Sequence, residues 1–281
     1  MRPAVVVLAA VAVTALLVLT VPDDRGTTPD RMEREAAEPA EVRATLRRSS
    51  LFEPIRALAL DLSSGGGVAV DAVRLDSPLF APLPAEARGT ALRLDGAPVT
   101  VPVPFGPAVC DDPVDRPTEV VATAGRREVR VAVEEEPAGI LASIHDRECA
   151  VAAVRDAVEL RLRDGWARTA DRTAAGPFEV VQRHAGAEAT VEEVRGNVIF
   201  TVDPPPADGP LAAVDDSRPA AAPTITVSAS RCDPHALIEY KRTFIFAAWV
   251  ALGDGAAVRV DVVAEGSALA ALTEVREACL G

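Results

Sequence analysis

The residues best suited to chemistry lie in the segment RCDPHALIEY, residues 231–240, which places a cysteine, an aspartate, a histidine and a glutamate close together. Thiolate, imidazole and carboxylate groups are the ligands that proteins use for zinc. His235 and Glu239 are four residues apart, so a helix would bring them to one face. The segment therefore raises the hypothesis of a metal site.

A structural interpretation of the same segment competes with the metal site. Asp233 is suited to an N-cap and Pro234 to the first position of a short helix. The earlier segment CDDP offers the same cap without a histidine. If Cys232 is used in a disulfide, the two remaining ligands on one helical turn are too few for zinc. We expect a corner of the fold, with metal or ligand contact by His235 and Glu239 as the alternative.

Two further candidates lie outside this segment. His145 and Asp146, in IHDREC, fit the exposed face of a helix, with ligand contact as the alternative. Trp166, in RDGWAR, could mark an exposed binding edge, but a tryptophan at the end of a strand more often covers a core. The sequence contains no Gly-x-Ser-x-Gly, His-Glu-x-x-His or phosphate-loop motif. We therefore assign no catalytic, cofactor-binding or metal-ligating residue.

The composition indicates a globular, acidic protein. The 281 residues suffice for two domains, and 49% hydrophobic residues suffice for a core. A net charge of −13 argues against nucleic acid as a partner, because phosphates call for basic patches. Only 4% of the residues are aromatic, which leaves few surfaces for stacking sugars or bases.

The N-terminal residues 1–22 predict a membrane segment. Arg2 precedes an uncharged run that is long enough to cross a bilayer once. The end of the run, LLVLTVPDD, lacks the small residues of a signal-peptidase site, which favours an uncleaved anchor over a cleaved secretory signal. The positive-inside rule then places the rest of the chain outside the membrane. Residues 23–40 are polar and predict a stalk.

Beyond the stalk, apolar residues alternate with polar ones, which predicts half-buried β-strands. Turn signals such as SSGGG, LDGAP, TAGRR and LGDG separate the strands, which favours an antiparallel sandwich or barrel. The alternating sets are Leu58, Leu60 and Leu62; Val99, Val101 and Val103; Val129, Val131 and Val133; Val158, Leu160 and Leu162; Ile225 and Val227; and Val258, Val260 and Val262.

The chain also repeats itself. VDAVRLDSPLF, from Val70, aligns with VEEVRGNVIF, from Val191, at an offset of 121 residues. Cys110 and Cys232 are 122 residues apart, and each precedes an aspartate and a proline. The segments IHDREC and EVREAC end in cysteines 130 residues apart. Three matches in one order predict a tandem duplication of one domain.

The duplication suggests how the four cysteines pair. Three pairings are formally possible. An extracytoplasmic location favours oxidation, and the repeat favours Cys110 with Cys149 and Cys232 with Cys279. Each bond would close a loop of about 40 residues within its own copy.

The segments VRGNVIF, RCDPHALIEYKRTF and EVREAC, together with the N-terminal anchor, resemble those of a set of exported proteins of uncharacterised activity from high-GC Gram-positive bacteria. The resemblance covers most of the second copy and, more weakly, the first. It implies a location in the cell envelope and no particular activity, catalytic residue or cofactor.

We therefore predict an all-β protein with two tandem immunoglobulin-like β-sandwiches, residues 41–155 and 156–281, behind the N-terminal anchor. The predicted role is non-catalytic: binding or scaffolding at the cell membrane, with an envelope protein as partner. One alternative is an envelope-acting hydrolase or enzyme subunit with a non-standard site. Another is a receptor for a small molecule or metal in a cleft between the copies.

Overall fold

The computed structural model describes residues 41–84, 89–111, 116–124, 127–203 and 209–279, and shows a mainly β protein, as predicted. The predicted anchor and stalk, residues 1–40, lie outside the described residues. Within the described ranges, no helix is both long and apolar enough to cross a membrane.

The chain divides into two compact units, of which the first ends at His145 and the second begins at Asp146. This division lies within helix α1 (Ile140–Ala157), and the boundary predicted after residue 155 falls in the same helix. Each unit has its own apolar core.

The described residues of the first unit form seven strands. They are β1 (Val42–Arg47), β2 (Ala57–Ser64), β3 (Val68–Asp76), β4 (Gly89–Leu94), β5 (Val99–Pro104), β6 (Glu119–Ala124) and β7 (Arg127–Glu136). Their order in the sheet is β4-β3-β6-β7-β1-β2-β5. All neighbours are antiparallel except β1 and β7, which pair in parallel from Ala44 with Val133 to Arg47 with Glu136.

The alternating leucines and valines of the first unit build its core. Leu60 and Leu62 of β2 are fully buried, as is Val103 of β5. The first turns of α1 add Ile140 and Leu141 to the same cluster. Period-two apolar residues therefore face inward, as the sequence pattern predicts.

Within the part of the second unit that the structure describes, there are eleven strands and two further helices. The strands are β8 (Val158–Arg161), β9 (Ala167–Ala170), β10 (Thr173–Pro177), β11 (Glu179–Gln182), β12 (Ala189–Arg195), β13 (Phe200–Val202), β14 (Ala212–Val214), β15 (Ala220–Ala221), β16 (Thr224–Ala229), β17 (Ile245–Leu252) and β18 (Val258–Val263). The helices are α2 (Pro234–Glu239) and α3 (Gly266–Glu277).

These strands form a four-stranded sheet, β14-β12-β17-β18, and a bent second layer. The second layer consists of the sheets β15-β11-β8 and β13-β16-β10-β9. A single residue, Phe178, separates β10 from β11, and its backbone N–H donates to the Pro223 carbonyl oxygen between β15 and β16 at 2.9 Å. The two smaller sheets are therefore joined across the bend by this hydrogen bond.

Seven strands of the second unit repeat the strand order of the first. In the second unit, the order β14-β12-β17-β18 continues, through a parallel bridge between Leu162 and Ala264, into β8-β11-β15. Position by position, β14-β12-β17-β18-β8-β11-β15 corresponds to β4-β3-β6-β7-β1-β2-β5 of the first unit. The chain visits the seven positions in the same sequence in both units. Helix α1 follows β7, and α3 follows β18.

All four cysteines are disulfide-bonded. Cys232 pairs with Cys279 as predicted, with their Cα atoms 5.0 Å apart. This bond connects the segment before α2 to the end of α3. Cys110 and Cys149 are likewise oxidised, which agrees with the predicted use of every cysteine in a disulfide.

Replacing Cys232 and Cys279 together by alanine should lower the free energy of unfolding by about 3 to 4 kcal/mol, because the bond closes a loop across 47 residues of sequence. Denaturant unfolding of the full chain under non-reducing conditions measures this. The matched control is the unchanged protein after full reduction, which should lose at least as much stability. An unchanged midpoint in the double variant would contradict the prediction.

Candidate functional site

The segment around Cys232 forms a corner of the fold. The Asp233 side chain accepts a hydrogen bond from the Ala236 backbone N–H at 2.9 Å, and Pro234 occupies the first turn of α2, as predicted. The Ala236 N–H and then the Arg231 guanidinium, 2.6 Å away, lower the pKa of Asp233 below its ordinary value. The aspartate therefore acts as an ionised helix cap.

The metal hypothesis has no support in this corner. Cys232 is bonded to Cys279, so its sulfur is not a thiolate. His235 is exposed on α2, and Glu239 is the last residue of that helix. No group of three histidine, cysteine, aspartate or glutamate side chains suited to a metal occurs in the described part of the chain.

His145 makes structural contacts within the first unit. Its Nε2 lies 2.9 Å from the Val109 carbonyl oxygen, so the ring donates a proton there. The imidazole also packs edge-on against Phe80, with the ring centroids 6.3 Å apart. Asp146, the next residue of α1, is exposed. His145 thus ties α1 to the chain before Cys110.

Trp166 covers the core of the second unit. Only 6% of its surface is exposed, and its indole N–H donates to the Pro177 carbonyl oxygen at 2.9 Å. A Cβ atom added to Gly176 would lie 2.3 Å from the indole, so the glycine makes room for the ring. The Trp166 backbone N–H donates to Ser267 in α3 at 3.0 Å. The core interpretation of this tryptophan, and not the binding edge, matches its position.

Substituting Gly176→Ala should lower the free energy of unfolding by about 1 to 3 kcal/mol, because the new methyl group forces the Trp166 indole out of place. Gly65→Ala is the control, since no atom lies within 4 Å of the added Cβ there. Far-ultraviolet circular dichroism during denaturant unfolding reads out both variants, because it reports on the strands of both units. Equal stability of the two would contradict the packing role of Trp166.

A cleft of about 290 Å³ lies in the second unit between β8 and β18. Its walls combine apolar side chains with charged ones. The apolar lining is Val154, Val158, Leu160, Leu162, Val260, Val262 and Val263, and the charged lining is Arg155, Glu159, Arg161, Arg163, Arg183, Asp261 and Glu265.

The backbone of β18 presents an open edge to this cleft. The Ala264 N–H donates to the Phe244 carbonyl oxygen at 2.9 Å, which fixes which residues of the ladder face β17. By the alternation of an antiparallel ladder, Asp261 and Val263 direct their N–H and C=O groups away from β17. The next residue in this set, Glu265, donates its N–H to the Leu162 carbonyl oxygen at 2.8 Å.

The corresponding edge in the first unit is covered. There β1 pairs in parallel with β7 over four residue pairs. In the second unit, the single bridge between Leu162 and Ala264 is the only parallel pairing recorded between the described residues of these two segments. Strands β8 and β18 separate beyond the bridge, and the cleft occupies the space between them.

The acidic side chains of the cleft are neutralised by neighbouring arginines. Arg161 donates to Glu159 at 2.5 Å, and this bond lowers the pKa of Glu159 below its ordinary value. Arg163 lies 2.8 Å from Glu265. Glu159, with its lowered pKa, is therefore an ionised partner in an ion pair and not a general acid, which needs a pKa near neutral pH.

The arginines of the cleft carry positive charge that its acidic side chains do not balance. Asp261 is paired with two arginines that do not line the cleft, Arg242 and Arg259. Arg155 makes no recorded ion pair with any side chain in the described ranges. The Nε of Arg161 is buried without a hydrogen-bond partner among the described residues. The cleft can therefore accept carboxylate or carbonyl oxygens.

Sequence reasoning missed this cleft. The segment VELRLRDGW shows Glu159, Arg161 and Arg163 alternating with apolar residues, which predicts only an outer strand face. This face borders a gap because β8 diverges from β18, and no local sequence pattern reveals that divergence. The structure places Trp166 in the core and His235 on the surface, and neither lines the cleft.

Comparison with known proteins provides no family. No protein-family model matches the chain, and no curated protein matches it significantly. Among solved structures, the S-layer protein rSbsC(31-844) shows 12% sequence identity and a TM-score of 0.15. The match covers 81% of this chain and 35% of that one, so the chain spans about a third of that protein's length. A TM-score this low supports no inference about fold or function.

Proposed function

We propose that this chain is a membrane-anchored binding or scaffold protein of the cell envelope, in which two tandem immunoglobulin-like sandwiches lie outside the cytoplasm. The open edge of β18 beside a cleft is the observation that carries the binding role. A binding module needs an accessible strand edge or pocket and no reacting groups.

The shared strand order supports the immunoglobulin-like assignment. Such sandwiches place two antiparallel layers face to face with Greek-key connections. In the first unit, β4-β3-β6-β7 corresponds to one layer and β1-β2-β5 to the other, joined by the parallel pair of β1 with β7. Recurrence of this order in the second unit supports the proposed duplication.

The oxidised cysteines and the N-terminal sequence support the location. Disulfides form and persist outside the reducing cytosol. The apolar run of residues 3–21, preceded by Arg2, has the length and charge asymmetry of a single membrane anchor. The two features are independent, because one concerns redox state and the other hydropathy.

Protease treatment of protoplasts tests the location. In cells that express the full chain with a C-terminal tag, the tag should disappear when protease is added outside, while a cytoplasmic marker stays intact. A thiol reagent added before lysis should leave all four cysteines unlabelled, because the structure contains no free cysteine. A protected tag, or free thiols in the blocked sample, would overturn the extracytoplasmic placement.

Cross-linking in the native membrane tests the binding role. The tagged full chain should capture the same envelope protein reproducibly, and a tagged single-span protein without the two units should not capture it. Mass spectrometry identifies the captured protein. If the two samples yield the same background, the binding or scaffold role is wrong, whatever the location.

A further inference from the structure

We infer that the second unit binds an extended, acidic peptide segment of a partner protein, which adds as a strand to the open edge of β18 in the cleft beside β8. This inference rests on the proposed binding function and names the partner's chemistry and its site. It places recognition in one unit of the chain.

The first step is the backbone. Asp261 presents its N–H and C=O groups to the cleft and Val263 its N–H, and the pairing described on this side of β18 is the bridge of Leu162 with Ala264 at the strand's end. Across the cleft, on the side of β8, the Arg183 N–H donates to the Ala157 carbonyl oxygen at 2.9 Å. By the alternation of the ladder between β8 and β11, the N–H and C=O groups of Leu160 then point away from β11 and toward the cleft. An extended peptide is the ligand whose backbone hydrogen bonds match two such strand edges.

The first unit shows the corresponding edge with a strand paired to it. Strand β1 lies along β7 and covers the edge that corresponds to the open edge of β18. Its sequence, VRATLR, is an ordinary strand with alternating burial, in which Ala44 and Leu46 are buried. In the second unit β8 takes the place of β1, but it meets the β18 edge only at the bridge of Leu162 with Ala264, so the edge before the bridge lacks the pairing that β1 gives β7.

The cleft also offers apolar contact for alternate side chains of such a strand. Val263 is 52% exposed at the edge, and Leu160 lies partly buried across the cleft, on the side of β8. Exposed strand edges are usually shielded by charged or proline residues because they recruit other strands. An apolar valine at this position favours pairing with a second chain.

Charge complementarity selects an acidic segment. The cleft and its ion-pair partners contain six arginines and four carboxylates, so the site is positive although the chain as a whole carries −13. Arg155 has no recorded ion pair with a described residue and is the first candidate to receive a carboxylate. Arginine binds carboxylates through a planar two-pronged contact.

A blocked, fluorescein-labelled heptapeptide of alternating valine and glutamate is the probe. Its fluorescence anisotropy should rise when it is titrated with the full chain in detergent, and the affinity should fall as salt increases. Two control peptides have the same length. One carries N-methyl groups on alternate backbone amides, and the other has lysine in place of glutamate; both should fail to bind.

Two variants test the two parts of the site. Val263→Pro removes an edge N–H and should weaken binding about tenfold, whereas Val263→Thr keeps that N–H and should retain it. Arg155→Glu should weaken binding about fivefold because it reverses a charge of the cleft. Arg172→Glu, at an exposed position outside the cleft lining, is its control and should bind like the unchanged protein.

Binding that survives N-methylation overturns strand addition, and equal binding of the lysine peptide overturns the acidic preference. Absence of any anisotropy change overturns the inference as a whole. If Val263→Pro does not fold, the N-methylated peptide still decides, because it leaves the protein unchanged. The inference can fail while the proposed function stands, namely if membrane cross-linking captures an envelope protein equally well with Arg155→Glu and with the unchanged chain.

Discussion

The edges of β-strands set the constraint on which this structure depends, because each strand has two rows of backbone donors and acceptors that need partners. In the first unit, β7 pairs with β6 on one side and with β1 on the other. In the second, β18 pairs with β17, and on its other side the described residues form one bridge, between Leu162 and Ala264, directly after the strand. This difference leaves a gap between β8 and β18 that the first unit does not have.

The gap has a local cause in the chain. Strand β8 begins at Val158, directly after α1 ends at Ala157, so the helix end determines where the strand starts. Val154 and Ala157 are buried in the core of the second unit and hold that end in place. At the other end, Gly266 approaches Arg163 so closely that a Cβ would lie 2.8 Å from its carbonyl oxygen. The two strands are thus fixed at the bridge and diverge from it.

The sequence predicts the fold where hydrophobic contrast is high and fails where it is low. Leu58, Leu60 and Leu62 mark β2 without ambiguity, since each is buried and each neighbour is polar or small. Strands β9 and β10, ARTA and TAAGP, lack this contrast, and Gly176 is present because the Trp166 indole occupies the space of a side chain. Such strands are defined by tertiary packing, which a local pattern cannot show.

The residues that look chemical in this sequence are used by the fold. Cys232 is in a disulfide, Asp233 caps a helix, and His145 donates to a backbone carbonyl. Polar groups that are partly buried must find partners, so in a small sandwich they are taken up by corners and helix ends. The recognition we propose therefore uses the backbone of β18, which has the same donors and acceptors whatever its side chains are. A binding site of that kind is a consequence of strand pairing and is therefore visible only once the sheet order is known.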